Sequence, residues 1–285
     1  ARRARRRRRA ARLLRRALFV VVVAAVLGSA WIANRDRDSA KPPRGAPHSD
    51  VTSSEVTLAG GVPPPSTEEQ PLPIGIAPPL PDERGPYRFA RLQPSSSDPV
   101  SYDPCRPVHV VVNPRAAPAE HEELLRTALE RVNEATGLKF VVDGVTDETP
   151  SPNRAPYQPA RYPGRWAPVL VAWSDEAEDG RLAGDVAGYG GSISFSAAPG
   201  RPSVYVTGQL VLDGAQIDSL LDRAGGVAAA RAVILHELAH VVGLDHVDDP
   251  SQIMNAVGSR AVTDYAAGDR TGLALLGRGH CFAGV

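Results

Sequence analysis

The chain of 285 residues has one methionine, two cysteines and two lysines against 30 arginines, and only 5% of it is aromatic. No stretch repeats at a fixed period, which excludes solenoids and propellers. Histidine is absent between His121 and His236. The first sixteen residues hold ten arginines and no acid, and Ala17 to Ala33 carries no charge. No other uncharged aliphatic run approaches that length.

What the sequence does contain is concentrated in His236-Glu237-Leu238-Ala239-His240-Val241-Val242-Gly243-Leu244-Asp245-His246. On a helix, residues four apart lie about 40° apart, so His236 and His240 reach one ion. Glu237 points beside that ion, where its carboxylate can take a proton from an attacking water. A continuing helix would place His246 about 240° round from His240, on the wrong face. The chain must turn, and Gly243 stands where a residue tolerating positive φ ends the helix and returns His246 as third ligand. Three neutral imidazoles leave a fourth tetrahedral position open, the arrangement of a catalytic rather than a structural zinc. The lead-in, Val227 to Leu235, is rich in alanine and aliphatics, as expected of a buried helix.

This pattern resembles the metzincin metallopeptidases, whose signature is HExxHxxGxxH followed by a Met-turn. Met254, eight residues after His246, stands at a distance similar to that in the matrixin branch. The resemblance implies a Met-turn beneath the imidazoles; taken alone, Met254 reads as a core methionine. The resemblance also implies an α+β fold, a twisted mixed sheet with a backing helix above a cleft floored by the zinc helix. Pro107 to Asn113, Val169 to Trp173 and Ser203 to Leu212 read as strands, the last interrupted by Gly208. Ala119 to Thr136 has helical spacing, and Gly268 to Gly277 resembles the C-terminal matrixin helix. Ala183 to Gly191 would then be the cleft-edge strand, where an extended substrate pairs its backbone.

The departures matter as well. Position 256 is Ala where astacin-like and serralysin-like members carry tyrosine, and Val247 matches no well-known subfamily mark. With no histidine between His121 and His236, the second zinc of vertebrate matrixins has no ligands, so one Zn2+ is expected. No cysteine precedes Cys105, so a thiol latency switch is unsupported. Asp269 has a matrixin counterpart by position but reads here as a helix-capping carboxylate.

The N-terminus reads as targeting. Residues 1–16 form a cytoplasmic arginine-rich end, and residues 17–33 either span the bilayer as an uncleaved anchor or serve as a signal peptide ending near Gly28-Ser29-Ala30. Both readings put the catalytic domain outside the cytoplasmic membrane, anchored in one case and secreted in the other. Arginines abutting an apolar run are topogenic rather than nucleic-acid-binding. Residues 17–285 hold 22 basic and 32 acidic residues, which also argues against a polyanion partner.

Residues 34–86, with Pro63-Pro64-Pro65 and Pro78-Pro79, read as a disordered linker, with a cleft-occupying propeptide as the alternative. Residues 87–285 form the catalytic domain of an expected monomer. Cys105 and Cys281 pair as a disulfide in an oxidising exterior or remain two buried thiols. The function that follows is a zinc endopeptidase acting on proteins or peptides, with Glu237 as general base. Two alternatives remain: a tethered binding protein that keeps the zinc fold without cleaving, and a basic adaptor with an accidental motif.

Overall fold

The computed structural model describes residues 61–94, 96–259 and 261–285. The arginine-rich end, the apolar run at 17–33 and the first part of the linker lie outside the described residues. Among the described residues, no helix is long and apolar enough to cross a membrane.

Five strands form the main sheet: β2 (Val108–Asn113), β3 (Phe140–Val145), β4 (Val169–Ser174), β5 (Gly188–Ser196) and β6 (Ser203–Asp213). Their order is β3-β2-β4-β6-β5, with β5 antiparallel to β6 and the other pairs parallel. A two-stranded antiparallel ribbon joins β1 (Arg88–Phe89) to β7 (Leu244–Asp245). The helices are α1 (His121–Thr136), α2 (Gly214–Leu221), α3 (Gly226–Val242) and α4 (Ala267–Leu276). The architecture is mixed α+β.

Alternate residues along the central strands serve two cores, as the period of two requires. Val110, Val112, Val169, Val171, Trp173, Leu210 and Leu212 pack with the apolar faces of α1 and α3. Val111, Leu170, Ala172 and Val211 pack on the other face with Tyr162, Ala167 and Leu182. Burial on both faces makes β4, Val-Leu-Val-Ala-Trp-Ser, apolar almost throughout.

A buried ion pair fastens the connection from β3 to β4. Arg154 donates to both Glu148 carboxylate oxygens at 2.8 and 3.0 Å, to Thr207 Oγ1 and to the Gly208 and Pro168 carbonyls. Gln158 and Tyr162 donate to the same carboxylate.

Three expectations need adjustment. The cleft-edge strand runs Gly188–Ser196, five residues later than Ala183 to Gly191, because Gly184 takes a left-handed φ of 75° and turns the chain before it extends. Gly208 does not interrupt β6: a Cβ there would stand 2.6 Å from the Gly191 carbonyl, so its role is to let the strands approach. Residues 61–86 hold no helix or strand, and they are bonded to the body. Gln70 N–H donates to the Cys105 carbonyl, Ile74 N–H to that of Pro104, and Arg278 to that of Pro78.

Cys105 and Cys281 form a disulfide, with Cα atoms 5.4 Å apart. Around it, Asp103 accepts from Arg106 and from the Phe282 backbone, and Arg106 donates to the Phe282 carbonyl.

Candidate metal and catalytic site

The zinc-motif helix, α3, is bounded by glycines at each end, Gly225 at φ 74° and Gly243 at φ 125°. Space around Gly243 is equally closed, since a Cβ would lie 3.0 Å from the Tyr205 ring and 3.1 Å from Leu276. The Gly243 N–H bonds back to the Ala239 carbonyl, and the chain then leaves as β7. Pairing with β1 fixes that exit: Arg88 lies opposite Asp245, Phe89 opposite Leu244, and Ala90 N–H donates to the Gly243 carbonyl. Asp245 in turn accepts from the His246 backbone N–H at 2.7 Å and faces Arg88 at 3.0 Å.

The turn brings the three imidazoles together. Their Nε2 atoms form a nearly equilateral triangle with edges of 3.1, 3.1 and 3.2 Å. His236 donates through Nδ1 to the Ile253 carbonyl at 2.6 Å, and His240 through Nδ1 to the Leu244 carbonyl at 2.9 Å. With its proton on Nδ1, a neutral imidazole presents a lone pair at Nε2. Burial, with the neighbouring imidazoles, holds both rings neutral, His236 down to about 4 and His240 to about 3. Lone pairs facing one another at such distances call for a cation. Zn–N bonds of about 2.0–2.1 Å at tetrahedral angles separate ligand nitrogens by about 3.3–3.4 Å, close to the edges seen. The residues therefore fit zinc.

Glu237 is buried, and burial pushes its carboxyl up to about 8. Its Cγ lies 3.1 Å from where a Gly188 Cβ would stand, so the side chain runs along the edge strand. Gly190 is closer still to the helix, its hypothetical Cβ only 2.3 Å from the Glu237 carbonyl. Ser192 Oγ, the next inward position of β5, donates to the Val241 carbonyl at 2.7 Å. The edge strand thus lies directly on the metal helix.

Met254 is buried in the main core. Its turn is tied on both sides, by Val247 N–H to the Met254 carbonyl and by Asn255 Nδ2 to that of Val247. Asp269 caps α4 through the Ala266 N–H, as read from its position, and also accepts from the Ile253 and Met254 N–H groups at 2.8 and 3.3 Å. It therefore holds the peptide whose carbonyl orients His236, a role the capping reading missed. Gly188, Gly190, Arg88 and the two accepting carbonyls were missed as well. Glycines at alternate positions of a strand were the one available signal for close approach; backbone acceptors leave none. Among the described residues, the other grouping of potential ligands, Asp103 with Cys105 and Cys281, is taken up by the disulfide.

Comparison with known proteins places this site. Residues 167–274 match the matrixin family, peptidase M10. No curated protein matches the chain. Among solved structures, archaemetzincin from Methanopyrus kandleri is 16% identical with a TM-score of 0.34, covering 59% of this chain and 93% of that one. High choriolytic enzyme 1, a hatching-enzyme zinc-protease from Oryzias latipes, is 12% identical with a TM-score of 0.32, covering 67% and 94%. The part of the chain that builds the three-histidine site, residues 167–274, is matrixin-like, and the resemblance to the metzincin metallopeptidases first read from its motif holds there.

Proposed function

We propose that this protein is a zinc-dependent endopeptidase that hydrolyses polypeptides outside the cytoplasmic membrane. The observation that carries the reading is the Nε2 triangle of His236, His240 and His246, with Glu237 following the first ligand and lying under the edge strand. Zinc held by these nitrogens supplies Lewis acidity, polarising the scissile carbonyl and acidifying the attacking water.

The chain's own groups do the rest. An extended substrate pairs its backbone with β5, the edge strand, which leaves polypeptide free to continue on both sides of the scissile bond. Glu237 takes the proton of the attacking water and passes it to the leaving amine. The Nδ1 bonds to Ile253 and Leu244 hold two rings in the tautomer that offers Nε2. The disulfide suits an oxidising compartment, and the arginine-rich end before residues 17–33 suits an anchor with the N-terminus in the cytoplasm.

The test compares the full chain with Glu237→Ala, measuring bound zinc and cleavage of a quenched peptide library. Equal zinc with cleavage reduced at least 100-fold supports the reading, since general acid–base groups contribute about 10²–10⁴-fold. Full cleavage by the variant sinks it. Zinc in both without cleavage in either points to a binding protein built on the same fold.

A further inference from the structure

The residues of β5 that face α3 are Gly188, Gly190 and Ser192, after which the strand shifts register between Ile193 and Ser194. Two strand residues advance about 6.6 Å and four helical residues about 6.0 Å, so this row meets the helix in step. A Cβ at Gly190 would fall on the Glu237 carbonyl, and Ser192 reaches the Val241 carbonyl one turn further on. Glycines let the two elements come close but do not fix how far one has slid along the other. A hydrogen bond does, because it weakens steeply when bent or stretched. Val241 follows the ligand His240 in the last turn of α3, where the carbonyls lack partners within the helix.

The Ser192 hydroxyl is held from its other side as well. Its Oγ lies 2.7 Å from the Tyr102 Oη, and its single proton is already given to the Val241 carbonyl, so Tyr102 is the donor. Burial pushes the Tyr102 hydroxyl far above its ordinary pKa, which keeps that proton in place. Tyr102 is anchored in turn: the Ser101 carbonyl accepts from Tyr205 N–H at 2.9 Å, and the Tyr102 ring packs 5.6 Å from that of Tyr205 and 6.4 Å from that of Phe140. Gly208, opposite Ser192 on β6, makes the room. A Cβ there would stand 2.6 Å from Ser192 Oγ and 3.2 Å from Tyr102 Oη.

We propose that Tyr102 and Ser192 are positioning residues for the peptidase reaction, an inference that rests on the function proposed above. The relay from the Tyr102 hydroxyl through that of Ser192 to the Val241 carbonyl pins β5 at one offset along α3. It thereby sets where a polypeptide paired with β5 presents its scissile carbonyl to Glu237 and to the ligand nitrogens. Both side chains are buried, so they act through the strand rather than on the substrate.

The experiment uses the zinc-loaded full chain, Ser192→Ala, Tyr102→Phe and the double variant, each at a temperature where it is folded. Three quantities are measured: hydrogen exchange of amides 188–192, steady-state cleavage of one decapeptide selected from the quenched library, and inhibition by acetohydroxamate, a probe small enough to need the metal alone. Ser192→Ala should speed the exchange at least about tenfold, as a loss of local protection. It should lower kcat about tenfold to 100-fold, the scale of a misplacement of up to about 1 Å, with zinc content and acetohydroxamate inhibition unchanged. Tyr102→Phe should move the same quantities less, because Ser192 still reaches Val241. The double variant should match Ser192→Ala, because Tyr102 acts only through Ser192. Unchanged exchange or unchanged kcat in Ser192→Ala overturns the proposal. So does acetohydroxamate inhibition that falls in parallel with kcat, which would place the damage at the metal, or a double variant that loses the product of the two single effects. Should the native chain hold zinc and cleave nothing, the peptidase reading fails by itself; exchange then decides the pin, faster exchange in Ser192→Ala upholding it and equal exchange removing it.

Discussion

Asp269 shows how much a single buried carboxylate organises here. It is 1% exposed, and burial pushes its carboxyl above the usual range against the pull of three backbone N–H donors. Through Ile253 it reaches His236: the carboxylate holds the Ile253 N–H, and the Ile253 carbonyl accepts from Nδ1. Replacing it with Ala leaves those N–H groups unpaired, at about 1–3 kcal/mol for the first and less for those that find water. Outer groups that orient ligands change metal affinity by about 10–100-fold when removed. Asp269→Ala should therefore lose stability in denaturant titration and also lose about tenfold in zinc affinity by chelator competition. A loss of stability with unchanged zinc affinity would reduce Asp269 to a helix cap. Motif spacing made the gathering of the three histidines legible but not this residue's second partner, because a carboxylate at a helix start reads as a cap whatever else it touches.

Among the elements, β5 and α3 make a close backbone approach at the site. With a Gly190 Cβ falling 2.3 Å from the Glu237 carbonyl, alanine there must push strand and helix apart. Gly190→Ala should cost about 1–3 kcal/mol as an overpacking change, and should lower kcat more than zinc content, because it moves the strand relative to Glu237 and not the ligand nitrogens. Unchanged kcat would show that the approach serves packing alone. The connection from β3 to β4 makes a pH prediction. Burial by itself would raise the Glu148 carboxyl, but the bonds and charge of Arg154, with Gln158 and Tyr162, outweigh it and hold it below its usual value. A folded value below the unfolded one means that the stabilisation is fully present above about pH 4.3 and is lost as pH falls through the lowered folded value. Melting temperature followed from pH 5 to pH 2.5 should fall more steeply for the native chain than for Glu148→Gln. Parallel curves would remove Glu148 from the acid sensitivity.

For the whole molecule, the bridge between Cys105 and Cys281 closes a loop of 176 residues. Loops of this size are stabilised by about 4–5 kcal/mol in the chain-entropy model. The double change Cys105→Ser, Cys281→Ser should lower the denaturant midpoint accordingly, and the zinc motif should still load metal while folded. A midpoint unchanged by the replacement would mean that Asp103 and Arg106 hold the C-terminal tail without it. Periodicity made α1 and strands β2, β4 and β6 legible, since buried parallel strands and an amphipathic helix write their environment into residue type. Periodicity did not reveal β3, whose valines at 141, 142 and 145 are exposed at the sheet edge, or β1, only two residues long.

What the sequence determined by itself is the local geometry of the histidine cluster: which nitrogens gather, and that Gly243 must end the helix. Those follow from helical periodicity and backbone sterics, which act over a few residues. Tertiary structure alone decided what holds the site in place. Arg88 and Phe89 pair with the exit from α3, Asp269 secures the turn that orients His236, and two glycines let β5 settle on Glu237. These contacts join residues far apart in the chain through backbone groups and through side chains that are absent, and neither leaves a residue-type pattern to read.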